Sequence, residues 1–318
     1  MSLPRLAISI GDPNGVGPEI ALRAHPQIAD YCLPLYCVDP EVMEQAASLL
    51  GMHIPDDFDM IALEQPIAVQ PGCVTPEAGR YSHASFMKAI ALTEAGETDA
   101  LVTLPIHKEA WMQAGIAYKG HTELLRDYFG KEAIMMLGCH QLYVALYTEH
   151  IPLKEVPAKI ERTALARFLL DLYRATGFDD IAVLGLNPHA GDNGVLGDEE
   201  REIEAAIVLA NDTLEAEGFK CDGRPFFGPV VPDAAFTPAF RTAHRHIVAM
   251  YHDQGLAPLK ALYFDESVNI SLNLPIVRTS VDHGTAFDIA YRGKARLNSY
   301  RNAVDTALQL SENSVSNS

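Results

Sequence analysis

Short apolar runs rich in β-formers recur along this chain, at residues 6–10, 35–38, 100–104, 133–137, 142–147, 181–186 and 247–250. Helical patterns fall between them. One spans 19–25, one 41–50 behind Asp39-Pro40, one 85–95, and one starts at Thr122 as its N-cap. Another opens at Thr163, carries Leu165, Phe168, Leu169 and Leu172 on one face, and stops at Gly177; a last one covers 199–217. Alternation of this kind restricts the fold to an α/β sheet with helices on both faces. A chain of 318 residues suits two lobes or one large α/β domain. Residues 51–79 lack periodicity and read as a long irregular excursion, and the residues from Ser311 read as frayed. No internal repeat or low-complexity tract interrupts the pattern.

Charge narrows the partners. A formal net charge of −18 argues against nucleic acid or an anionic membrane. It also gives weight to each Lys or Arg beside site-like residues, since a phosphorylated ligand needs a local positive patch. No apolar run reaches membrane-spanning length, and no signal peptide is expected. Five cysteines without a Cys-x-x-Cys pair fit buried free thiols in a reducing cytoplasm.

The densest run of functional residue types is 248–295. The strand at 247–250 delivers Tyr251-His252-Asp253-Gln254-Gly255 into an expected loop, followed by Lys260, Asn269, Arg278 and Asp282-His283-Gly284-Thr285-Ala286. Near the N-terminus, the first strand runs into Gly11-Asp12-Pro13-Asn14-Gly15-Val16-Gly17 before a helix. Exposed amides at a helix start suit an anion or dinucleotide, although a bare strand-to-helix turn uses glycines too. His121 is open to two readings, a hydrogen bond to an anion or a place in a capping turn. His150, His189 and His252 each follow an expected strand. Such residues can converge as three imidazoles on a divalent metal; alternatively one of them is a general base.

Seven segments occur in order: GDPNGVGPEI, LPIHK, GHTELL, HIPLKEVP, GLNPHAGDNG, AMYHDQGLAPLK and VNISLNLPIVRTSVDHGTAFDIAYRGKA. Together they resemble the 4-hydroxythreonine-4-phosphate dehydrogenase family of pyridoxal phosphate synthesis, from about residue 6 to 295. GDPNGVGPE and HGTAFDIAYRGKA are also similar to the nucleotide-contacting segments of isocitrate and isopropylmalate dehydrogenases. The resemblance implies a two-lobed α/β/α fold with a cleft between the lobes, here 1–130 with 296–318 against 131–295. It implies NAD or NADP held without a Rossmann fingerprint, by Gly11, Asp12, Asn14, Gly15, His283, Gly284 and Thr285. It implies one divalent metal per subunit (zinc, cobalt or magnesium) on His150, His189 and His252. Substrate contacts carry over to His121, Thr122, Lys260, Asn269 and Arg278, and Asp253 and Lys260 are the candidates for the catalytic base.

The implied substrate is a phosphorylated amino acid, 4-phosphohydroxy-L-threonine, oxidised at carbon 3 and decarboxylated to 3-amino-2-oxopropyl phosphate. The implied assembly is a cytoplasmic homodimer with a shared site, His150 and His189 from one subunit and His252 from the other. The segment 218–240, rich in Gly, Pro and Phe, is expected to reach toward the partner. Within the fold, dehydrogenases of phosphorylated threonate or erythronate, or of dihydrodiols, are the alternatives. A tris-histidine metal hydrolase is the rival from another class, and HGTAFDIAYRGKA speaks against it.

Overall fold

A computed structural model of the chain describes residues 3–65, 67–219 and 224–316, with side chains to 312. In chain order, strand β1 (Arg5–Ser9) leads into helix α1 (Gly17–Ile28), β2 (Leu33–Cys37) into α2 (Pro40–Leu50), and β3 (Met60–Ile61) into α3 (Pro76–Glu94). Strand β4 (Ala100–Thr103) leads into α4 (Lys108–Gln113) and α5 (His121–Phe129). Next come β5 (Ile134–Cys139), β6 (Leu142–Leu146), α6 (Arg162–Thr176), β7 (Ile181–Leu184), α7 (Glu199–Ala216), β8 (Phe226–Val230) and α8 (Pro238–Ala243). The chain ends with β9 (His246–Ala249), α9 (His252–Tyr263), β10 (Val268–Leu272), β11 (Arg278–Val281) and α10 (Asn298–Ser316).

Two compact units result, Met1–Ala133 with Leu274–Ser318, and Ile134–Asn273. The first holds parallel strands in the order β3-β2-β1-β4-β11. Every residue of β4 and all but the first of β1 are buried, as befits parallel strands covered on both faces. Phe86, Ile90, Leu101, Trp111, Leu124 and Leu125 form its core. Strand β11 pairs with β4, so 274–295 belongs with the first unit, whereas the sequence reading assigned it to the second lobe.

The second unit holds the order β10-β5-β6-β9-β7-β8. Strands β10, β5 and β6 are antiparallel neighbours; β6, β9, β7 and β8 run parallel. Its core gathers Leu137, Val144, Leu146, Leu184, Ile247 and Leu256.

Several local expectations give way. Helix α3 starts at Pro76, well before 85, because Thr75 caps it with its hydroxyl accepting from Ala78 N at 3.2 Å. Asp39 sits at the N-cap of α2 but makes no side-chain cap bond. Its carboxylate instead accepts from Leu63 N (2.8 Å), Glu64 N (2.9 Å) and Gln65 N (3.4 Å), tying down the irregular excursion. Helix α5 starts at His121 with Gly120 as N-cap, so Thr122 lies inside the first turn. Glu123 reaches back past the N-cap, its carboxylate accepting from Lys119 N at 2.5 Å. The expected loop after β9 is the first turn of α9. Helix α10 continues to Ser316, past the frayed end expected from Ser311. Of the segment expected to reach toward a partner, 220–223 lies outside the described residues, and the described part holds β8, an irregular stretch at 231–237 and the start of α8. Cys32, Cys37 and Cys139 are buried free thiols as expected, Cys73 is exposed, and Cys221 lies outside the described residues. Among the described residues no helix is long and apolar enough to cross a membrane.

Candidate active site

In the first unit, the start of β11 and the first residues of α4 and α5 bring Arg278, Lys108 and His121 within electrostatic reach of one another. Arg278 opens β11 and is 2% exposed, with Nη2 donating to Thr103 Oγ1 on β4 at 2.7 Å. Burial pushes its pKa down to about 9, which leaves a cation at neutral pH. His121 presents its ring to the edges of Phe86 (centroids 4.6 Å apart) and Trp111 (5.9 Å). Its Nε2 is buried without a hydrogen-bond partner. Desolvation, then the Arg278 and Lys108 cations, hold its pKa well below the ordinary histidine value, so it is a neutral imidazole. Lys108, the first residue of α4, was missed by the sequence reading although it closes the quoted LPIHK segment. Thr122 is half-buried beside His121.

The two segments assigned to the nucleotide also meet in this unit. Val16 N donates to Thr285 O at 3.0 Å, and the Tyr291 hydroxyl donates to Pro13 O. Gly11, Asp12, Asn14 and Gly15 are all buried. Asp12 Oδ1 accepts from Asn14 N at 2.9 Å, while Oδ2 is buried with no partner. Desolvation raises its pKa from 3.8 to about 7, opposed by that one amide. The Asn14 side chain is committed to the chain itself: Nδ2 donates to Cys73 O at 2.9 Å and Oδ1 accepts from Gln70 N at 2.7 Å. His283 has Nδ1 2.9 Å from Gly284 O and a buried Nε2 with no partner, and Gly284 is exposed. Asp12 Oδ2 and His283 Nε2 are therefore buried side-chain atoms of this region with hydrogen-bonding capacity to spare.

The second unit carries the three histidines. His150, His252 and His189 follow β6, β9 and β7, three parallel strands adjacent in the sheet. One end of the sheet thus projects all three. The rings of His150 and His252 lie with centroids 5.5 Å apart, and their side chains are 72% and 37% exposed. His252 Nδ1 is 2.7 Å from Asp253 Oδ1, the carboxylate–histidine pairing that orients a metal-binding imidazole. His189 is exposed and sits in a turn where 189–193 all have positive φ. Among the described residues no three His, Cys, Asp or Glu side chains are grouped to hold an ion. Two neighbouring, solvent-facing imidazoles do fit part of a divalent metal's donor set.

Lys260 lies in the last turn of α9, its Nζ 5.9 Å from the Phe264 ring centroid. Asn269 lies on β10, with Oδ1 buried and without a partner. Sequence reasoning missed Gln254, which joins two strand ends. Its Oε1 accepts from Met250 N and its Nε2 donates to Gly185 O, both at 2.7 Å. Its place in the quoted YHDQG run was the available signal.

Comparison with known proteins agrees in its reach. A family model described as pyridoxal phosphate biosynthetic protein PdxA matches residues 30–307. The 4-hydroxythreonine-4-phosphate dehydrogenase of Sulfurimonas denitrificans is 55% identical over 312 residues, 98% of this chain and 99% of that one. A crystal structure of a 4-hydroxythreonine-4-phosphate dehydrogenase from Burkholderia phymatum aligns with a TM-score of 0.79 at 33% identity, covering 98% and 99% of the two chains. A terephthalate 1,2-cis-dihydrodiol dehydrogenase from Burkholderia xenovorans aligns at 0.68 and 25% identity, covering 97% and 98%. Similarity of this extent, with the ordered segments in place on the fold, makes the chain a member of the pyridoxal phosphate biosynthetic protein PdxA family.

Proposed function

We propose that the chain is a nicotinamide-dependent 4-hydroxythreonine-4-phosphate dehydrogenase. It oxidises carbon 3 of 4-phosphohydroxy-L-threonine with NAD or NADP, and the resulting β-keto acid loses carbon dioxide to give 3-amino-2-oxopropyl phosphate. The observation that carries the substrate class is the buried Arg278 with Lys108 and a neutral His121, three anion-binding side chains in a protein of net charge −18. Arg278 offers a planar fork to phosphate or carboxylate, and His121 Nε2 a neutral hydrogen bond. Thr122, Lys260 and Asn269 complete the substrate contacts. Asp12, His283, Thr285 and the backbone of Gly11, Asn14, Gly15 and Gly284 receive the nicotinamide cofactor. The hydroxyl proton passes to Asp253 or Lys260; the bond between Asp253 and His252 gives that carboxylate an orienting role as well.

His150, His189 and His252 would hold one divalent ion, zinc, cobalt or magnesium, which supplies Lewis acidity at the reacting oxygen. The sequence reading paired His150 with His189 on one subunit. The contact between the rings of His150 and His252 within one chain favours a different division of the homodimer, these two from one protomer and His189 from the other. A reducing cytoplasm suits its thiols.

The test is NADH or NADPH production from 4-phosphohydroxy-L-threonine, with and without chelator. The expected result is turnover that chelator abolishes and added metal restores. Preferential turnover of phosphorylated threonate or erythronate, or of a dihydrodiol, would move the chain to another branch of the fold. Hydrolytic activity without binding of a nicotinamide cofactor would favour the tris-histidine hydrolase.

A further inference from the structure

The segment between β7 and α7 is wound the wrong way for L-residues. His189, Ala190, Gly191, Asp192 and Asn193 have φ of 55°, 51°, 75°, 44° and 54°, a left-handed turn. L-residues visit this region singly and at a cost. Its internal bonds, Ala190 N to Asn187 O (3.1 Å), Val195 N to Asp192 O (3.2 Å) and Leu196 N to Gly191 O (3.0 Å), are ordinary turn bonds and do not select the left hand. Something outside the turn must hold it.

Glu200, in the first turn of α7 and 8% exposed, lies against the turn and binds the two residues that lead into it. Its Oε1 accepts from Leu186 N at 2.9 Å and Asn187 N at 2.7 Å, and its Oε2 from Asn187 Nδ2 at 3.0 Å. The second Asn187 amide bond goes to Glu199 Oε2 at 2.7 Å. The turn closes directly over the carboxylate. A Cβ at Gly191 would lie 2.5 Å from Glu200 Oε2, and one at Gly197 would lie 2.2 Å from Asn187 Nδ2. Only glycine fits at either position. The helix start favours the negative charge that the three donors need.

We propose that the buried Glu200 carboxylate is the positioning residue for His189: it clamps the left-handed turn that presents this imidazole for metal binding. The inference rests on the reading of His189 as a metal ligand. A glutamine at 200 keeps the size but places an amide donor among donors, so the clamp fails while α7 keeps its length. In Glu200→Gln we expect amide exchange across 186–197 to accelerate in the metal-free protein, with the other strands unchanged. We expect cobalt(II) affinity to fall at least tenfold, as for lost outer partners of metal ligands. We also expect the visible spectrum of the cobalt-loaded protein to shift toward that of His189→Ala. Gly191→Ala pushes the turn away from the carboxylate without touching Glu200, and it should give the same spectral change if Glu200→Gln does not fold. Parent affinity and spectrum in Glu200→Gln or Gly191→Ala, with both impaired in His189→Ala, would overturn the clamp alone. Parent cobalt binding in His189→Ala would overturn the ligand reading, and the clamp's role with it.

Discussion

Asp12 is a carboxyl whose ionisation burial shifts toward neutral pH. Its pKa is raised to about 7 by desolvation, with only one backbone amide to oppose the shift. Unfolded, the group ionises near 3.8. Between those values the folded chain holds a proton that the unfolded chain has released, so this group's contribution to stability falls as pH rises through the window. Asp12→Asn removes the titration and keeps an acceptor for Asn14 N. We predict that the variant gains stability relative to the parent between pH 5 and pH 8, by on the order of 2 kcal/mol. Urea melts at the two values measure it, and a difference independent of pH would show that Asp12 is ionised in the folded state. Arg278 answers to geometry as much as to charge. Arg278→Lys keeps the cation but loses the fork and the bond to Thr103 Oγ1. We predict a loss of roughly 1.5–3 kcal/mol in kcat/KM, about ten- to a hundredfold. Kinetics within twofold of the parent would remove Arg278 from the substrate contacts.

At the scale of elements, legibility followed apolar patterning. Strands β1, β2, β4, β7 and β9 read clearly as apolar runs, whereas the parallel strands β3, β8 and β11 did not: β3 has two residues, β8 carries Gly228 and Pro229, and β11 is buried but mostly polar, Arg278-Thr279-Ser280-Val281. Helices α6 and α7 read clearly because their apolar faces keep helical spacing and α6 ends on Gly177 in the left-handed region. Elements set by a tertiary partner did not read. Helix α9 contains Gly255 and Pro258, which look like loop residues; Gln254 nevertheless fixes its first turn to the ends of β9 and β7. Asp39 looked like an N-cap because Asp before Pro usually is one, and only the fold shows its carboxylate serving residues 63–65. Glu200 was equally invisible, since nothing local links a helical glutamate to a turn before it. For Asp39→Ala we predict faster amide exchange at 63–65, a stability loss of about 1–3 kcal/mol for three donors left without their acceptor, and an intact α2. Loss of α2 protection instead would mean that the residue caps its own helix after all.

At the scale of the whole molecule, the candidate residues divide between the units in a way the sequence could not mark. His121, Thr122, Arg278 and the nucleotide segments belong to the first unit; the histidine trio, Lys260 and Asn269 belong to the second. Chain order hid this, because Asn269 and Arg278 are close in sequence yet fall on either side of the break at Asn273. The trio was legible as three strand-end histidines, but its pairing was not, since strand adjacency in the order β6-β9-β7 follows from non-consecutive connections.

The ring contact between His150 and His252 turns the shared metal site into a prediction with separable outcomes. Two inactive variants are unfolded, mixed and refolded together. If His150 and His252 serve one site and His189 comes from the partner protomer, mixing His150→Ala with His189→Ala places both lesions in one site of each mixed dimer and none in the other. Random pairing makes half the dimers mixed, so roughly a quarter of all sites should recover. Mixing His150→Ala with His252→Ala should recover nothing, because every site keeps one lesion. The division read from sequence, His150 with His189, reverses the two results: the first mixture stays dead and the second recovers. If one chain supplies all three ligands, neither mixture recovers despite subunit exchange verified by mass. Metal content of the refolded mixtures follows the same arithmetic, so the answer does not depend on the assay for turnover.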